Sequence, residues 1–195
     1  MQQEILLLIG ISFSLGFTPG PNNAVASFSG FNFGIKKTLP LIMGVGLGYT
    51  ILVVLTNFVL ISTFKQYPLI QEIIRILGTF FLLYLAYKIS FSGKSAGSLK
   101  KNPVKFFDTF LFQFINPKGV MAAITLVSKF VREEDYINSS IAVILVCSLT
   151  AFLSITSWAF IGKFLRKFAT NDNFIKNFNY SMSILIIICI IGFYI

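Results

Sequence analysis

The chain has 195 residues, 55% of them hydrophobic and only 12% charged, and its mean hydropathy is +0.81. A soluble domain is about 25% charged, so this composition excludes a soluble protein and makes the bilayer the solvent. The net charge of +9 does not point to nucleic acid, because the basic residues lie in short runs between apolar segments and not on one contiguous face.

A spanning helix needs about 20 mostly apolar residues. Six segments meet or approach that length: 5–28, 39–62, 69–91, 107–131, 138–162 and 178–195. The chain is therefore predicted to be an all-α integral membrane protein with six transmembrane helices. The first segment carries Glu4 where a signal peptide has basic residues, and it stays apolar beyond a usual signal core, so it is read as retained. It contains Thr18-Pro19-Gly20-Pro21-Asn22-Asn23. In the second, Gly44 and Gly48 form a small-xxx-small pair that suits close helix packing. The fourth begins near Asp108, passes Gln113 and is interrupted by Asn116-Pro117-Lys118-Gly119. The acidic run Glu133–Asp135 reads as a solvated connection. Ser154, Thr156, Ser157 and Trp158 give the fifth a polar strip, a candidate cavity lining. Cys147 and Cys189 both sit in apolar runs and read as small packing residues.

Lys and Arg set the direction of the spans, since they accumulate on the cytoplasmic side. The odd loops hold Lys36 and Lys37, then Lys88, Lys94, Lys100, Lys101 and Lys105, then Lys163, Arg166, Lys167 and Lys176. The even loops hold only Lys65, Arg75, Lys129 and Arg132. Both termini are accordingly expected outside. The chain reads as one transporter domain, 1–195, made of half-repeats 1–91 and 107–195 joined by a polar cytoplasmic linker, 92–106. Three spans per half is an odd number, so the halves enter the membrane from opposite sides, as an inverted repeat requires.

Each half also opens with a proline-broken helix. Proline lacks an N–H and clashes with the carbonyl four residues earlier, so Pro19, Pro21 and Pro117 should release the carbonyls of Leu15, Phe17 and Gln113. It also suits the first position of a new helix, with Gly20 or Asn116 as the preceding cap. Unpaired backbone groups in lipid cost several kcal/mol each, so such breaks persist only against protein or a polar cavity. A zwitterionic amino acid fits them: its carboxylate suits a half-helix N-terminus, its ammonium the freed carbonyls or the amides of Asn22, Asn23 and Asn116. Lys118, about 15 Å into its span, is an intramembrane charge and so a functional candidate, either binding a carboxylate or carrying a proton. Asp108 is either a second coupling group or a carboxylate placed at a helix start.

The text GFTPGPNNAVASFSGFNFGIKKTLPLIMGVGLGY and FFDTFLFQFINPKGVMAAIT resembles the LysE/RhtB family of amino-acid exporters, and the likeness covers essentially the whole chain. The TPGPNN and QFxNxK elements look most like its cysteine and O-acetylserine branch. The resemblance implies efflux of a small neutral amino acid from a bacterial cytoplasm across the inner membrane, driven by an ion gradient or membrane potential. It implies no enzyme activity, no cofactor and a homodimer, and it puts the transport path at the TPGPNN and NPK breaks. No GxxxxGK[ST] phosphate loop is present, in keeping with transport that does not use ATP. Two alternatives compete: a divalent-cation exporter, for which Asp108 and two scattered cysteines are a thin ligand supply, and a non-transport membrane assembly protein.

Overall fold

The structure, a computed structural model, describes residues 2–60, 68–91 and 103–194. Most of the 92–106 linker, with Lys94, Lys100 and Lys101, lies outside the described residues, as does Lys65. The described residues form seven α-helices and no strand: α1 (Gln2–Phe17), α2 (Pro21–Leu55), α3 (Pro68–Ser90), α4 (Phe106–Ile115), α5 (Pro117–Phe130), α6 (Tyr136–Leu165) and α7 (Asp172–Ile191).

Among them, Pro21–Val59, Glu72–Ser90, Glu133–Phe168 and Asp172–Ile191 are long and apolar enough to cross a membrane. Helices α4 and α5 make a fifth candidate, bent by 61° at Asn116. The chain is a multi-pass membrane protein. These four or five candidates differ from the six expected spans, and α1 is too short to be counted among them. Helix α1 ends at the first break, and the helix that starts at Pro21 continues through the second expected segment. The reason lies at Gly34, whose φ of 76° and ψ of 169° are open essentially to glycine alone. It turns the chain while helical bonding resumes on either side. Without a turn, the 39 residues from Pro21 to Val59 would run roughly 58 Å, about twice the hydrocarbon thickness. The last span begins earlier than hydropathy suggests, at Asp172, because Asn171 caps it by accepting a bond from the Phe174 N–H at 2.8 Å.

Helix α6 shows how the bilayer sets the pattern. Ile137, Ile141, Leu145, Leu149 and Leu153 recur at every fourth position and are all exposed. Its buried side holds Ser139, Ser140, Cys147, Thr150, Ser154, Ala159 and Gly162. Small and polar residues, joined by Val143 and Ile155, face protein, and a stripe of large apolar ones faces outward, as expected where lipid surrounds the bundle.

The small residues let backbones meet. A Cβ on Gly30 would lie 2.0 Å from the Ala159 carbonyl oxygen, and one on Gly162 would lie 1.9 Å from that of Ser27. These two glycines seat α2 directly on α6, its most extensive partner. Gly44 and Gly48 do the same for α2 on α4, where a Cβ would fall 2.4 Å from the Phe106 oxygen and 2.7 Å from the Phe110 oxygen. The small-xxx-small pair is therefore a packing device inside the chain. Helix α3 packs mainly on α7. Two apolar clusters result, one around Leu41, Leu82, Phe112, Ile155 and Ile186, the other around Leu8, Leu52, Ala123, Leu126 and Val143. The breaks lie where α1, α2, α5 and α6 converge.

Candidate transport site

Helix α1 stops at Phe17, and Gly20 precedes α2 in extended conformation. The carbonyls that side chains reach here are those of Gly16, Thr18 and Pro19, beside the Leu15 and Phe17 carbonyls expected to be released. The Asn23 amide donates to the Gly16 oxygen at 2.9 Å and the Thr18 oxygen at 3.0 Å. Ser154 donates to the Gly16 oxygen at 2.8 Å and to Asn23 Oδ1 at 3.3 Å. The Lys118 ammonium donates to the Thr18 oxygen at 2.7 Å and the Pro19 oxygen at 3.4 Å. The first break is thus closed partly by its own Asn23, partly by α6, and partly by a lysine from the second break.

The second break runs through Asn116, with α5 opening at Pro117. Asn116 is 2% exposed, and its Oδ1 has no hydrogen-bond partner among the described residues. Neither Gly20 nor Asn116 supplies a side-chain cap, so the N–H groups that open α2 and α5 carry no side-chain acceptor. The two halves are also clasped by a reciprocal amide pair. Asn22 Nδ2 donates to Gln113 Oε1 at 2.8 Å, and Gln113 Nε2 donates back to Asn22 Oδ1 at 3.2 Å. Gln113 is fully buried and also donates to the Thr109 oxygen at 2.7 Å.

A cavity of about 80 Å³ lies between the breaks and is lined by Gly20, Pro21, Asn22, Asn23, Asn116 and Lys118. Six of the nine expected path residues therefore share one space. Pro19, Pro117 and again Lys118 line a larger cavity of about 670 Å³, bordered by Arg75 and Glu72. There Arg75 pairs with Glu72 and lies 4.7 Å from the centre of the Tyr194 ring. Asn22 also borders a third, much smaller cavity, of about 20 Å³, that reaches Asp108. Lys118 lines both the first and the second space, and Asn22, paired with the buried Gln113, lines both the first and the third.

Asp108 accepts from the Lys105 backbone N–H at 3.4 Å as part of a capping box. Its structural role is the helix-start one, and it reaches the route only through the smallest cavity. Of the polar strip on α6, Ser154 lines the central cavity, whereas Thr156, Ser157 and Trp158 line none of the three. Cys147 packs in the second apolar cluster and also lines the central cavity. Cys189 borders the large one, its Sγ 3.8 Å from the Pro19 oxygen. Ser12, Tyr49 and Thr150 line the central cavity as well. Hydropathy had hidden them, because a hydroxyl within an apolar span looks the same in sequence whether it faces a cavity or a neighbouring helix.

Residues 13–194 match a family model described as LysE type translocator. A cysteine/O-acetylserine efflux protein of Salmonella paratyphi A is 28% identical over 174 residues, which cover 88% of this chain and 88% of the relative. The cysteine/O-acetylserine efflux protein of Escherichia coli (strain K12) is 24% identical over 173 residues, again 88% of each. No solved structure matches at a significant level.

Proposed function

The chain belongs to the LysE type translocator family, whose members are transporters and not enzymes, and from that premise we propose that it is an export permease for a small neutral amino acid of the cysteine and O-acetylserine kind. The observation that carries this reading is the convergence of both helix breaks on one cavity, with the uncapped starts of α2 and α5 and the free Asn116 oxygen lining it. Helix starts favour the carboxylate of a zwitterion, and the amide oxygen favours its ammonium. The named substrates of the two relatives are of that class.

The six-span, inverted-repeat arrangement draws support from the turn at Gly34, which divides the long α2 run in two. The packing is also consistent with exchange of the halves: α1 lies on α6 as α4 lies on α2, while α3 and α7 lie on each other. With the basic loops at the cytoplasmic face of a bacterial inner membrane and both termini outside, the Asp108 cavity opens inward and the Arg75 cavity outward. The substrate enters past Asn22–Gln113, rests between the breaks and leaves past Lys118. Asp108 and Lys118 are then the ionisable groups placed to couple movement to an ion gradient or the membrane potential.

Cells expressing the chain should lose labelled cysteine or O-acetylserine at least about tenfold faster than cells expressing a Pro21→Ala, Asn116→Ala double variant. That variant removes one break and the free amide oxygen, each worth about 1–3 kcal/mol. Equal efflux from both, at equal membrane abundance, sinks the site assignment.

A further inference from the structure

Resting on that export reading, we propose that Tyr49 and Thr150, flanked by Ser12 and Cys147, form the subsite for the substrate's side chain and select small neutral amino acids whose side chain can form hydrogen bonds. The evidence is a contrast among hydroxyls. In a membrane helix a serine or threonine ordinarily donates to the carbonyl four residues back, because no water is available. On these same helices Ser14 bonds Gly10 at 2.8 Å, Thr50 bonds Gly46 at 2.9 Å and Ser148 bonds Ile144 at 2.6 Å. Among the described residues Thr150 makes no such bond and Tyr49 has no side-chain hydrogen bond; Ser27 and Ser140 also lack partners but line none of the three cavities, whereas Tyr49 and Thr150 both line the central one.

The surroundings fix what these groups can receive. Thr150 turns its methyl carbon toward Gly16, where a Cβ would lie 2.9 Å from it. The Tyr49 ring stands 3.8 Å from the corresponding position on Gly119, beside the second break. Ser12 and Cys147 line the same cavity and add a polar edge to an otherwise apolar wall. A substrate held by its carboxylate and ammonium at the breaks thus meets unsatisfied hydroxyls and one thiol on α1, α2 and α6. An aliphatic side chain leaves those hydroxyls unpaired, which a water-poor site penalises. A cationic side chain finds no carboxylate among the described residues lining the cavity, and finds the Lys118 ammonium already there. Lysine and arginine are excluded on this basis.

The purified full chain in proteoliposomes tests this by comparing cysteine with 2-aminobutyrate, which has a methyl in place of the thiol, and with lysine. The parent should move cysteine at least about five times faster than 2-aminobutyrate and should not move lysine. Tyr49→Phe and Thr150→Val, each removing one hydroxyl with little change of shape, should each cut that ratio about fivefold, the effect of one hydrogen bond. A ratio is insensitive to the amount of folded protein in each preparation. An unchanged ratio in both variants, or lysine movement comparable to cysteine, overturns the subsite while leaving export intact. A parent that moves no amino acid overturns the export reading and the subsite with it.

Discussion

Lys118→Met should lower efflux about a hundredfold or more while leaving the protein folded. Lys118 borders both the central and the large cavity, and its ammonium bridges to Thr18 and Pro19 across the opposite break. Hydrogen bonds to charged groups contribute about 1.5–3 kcal/mol each. Losing one such contact to the substrate carboxylate, together with the tether between the breaks, removes about 3 kcal/mol from the transport barrier's stabilisation, a factor of about a hundred. Methionine keeps the apolar stem and fills most of the same volume, so the bundle should stay intact. Lys118→Arg keeps the charge, but a Cβ on Gly20 would already lie 2.8 Å from Nζ, so the larger guanidinium should rescue only part of the rate. Efflux from proteoliposomes, read beside size-exclusion profiles, gives both quantities. A methionine variant with parental efflux would remove Lys118 from the path.

The other large effect concerns the fold. Alanine at Gly30 or at Gly162 should lower the thermal unfolding midpoint by roughly 10 °C. Each added Cβ would meet a backbone carbonyl, at 2.0 Å and 1.9 Å respectively, and no rotamer change can relieve a contact with backbone. Helices α2 and α6 must then separate, at a cost of about 3 kcal/mol or more. Both glycines serve the same interface, so the double variant should be little worse than either single one. Thermal unfolding followed by intrinsic fluorescence in detergent checks both points. Additive losses would mean that the two contacts are independent.

Hydropathy was enough to expose the membrane class, because the charges are sparse and bounded by apolar runs. The breaks were legible for a similar reason. Pro21 and Pro117 act on their own backbone, so their effect can be deduced from local chemistry, and Lys118 stands out as a charge within a span. What the sequence concealed depends on distant partners. Asn23 was expected to meet the substrate, yet both its polar atoms are engaged with Gly16, Thr18 and Ser154. Asn22 was expected to do the same, and its amide is paired with Gln113. The Asn23–Ser154 and Asn22–Gln113 contacts could not be read from spacing, since each joins segments far apart in the chain. The turn at Gly34 escaped for another reason: hydropathy records the dip at Lys36 and Lys37 but not whether helical bonding continues through it. Gly30 and Gly162 were silent because a close approach needs both helices in place before it exists.

On the proposed reading, a small neutral amino acid binds between the two breaks and is moved outward by an electrochemical gradient. Reconstituted protein should be loaded in turn with labelled cysteine, O-acetylserine, cadmium or manganese, with and without an imposed pH gradient or potential. Efflux of the amino acids should accelerate under one of these gradients and be lost in the Pro21→Ala, Asn116→Ala variant. Movement of a metal ion with no movement of any amino acid would contradict it.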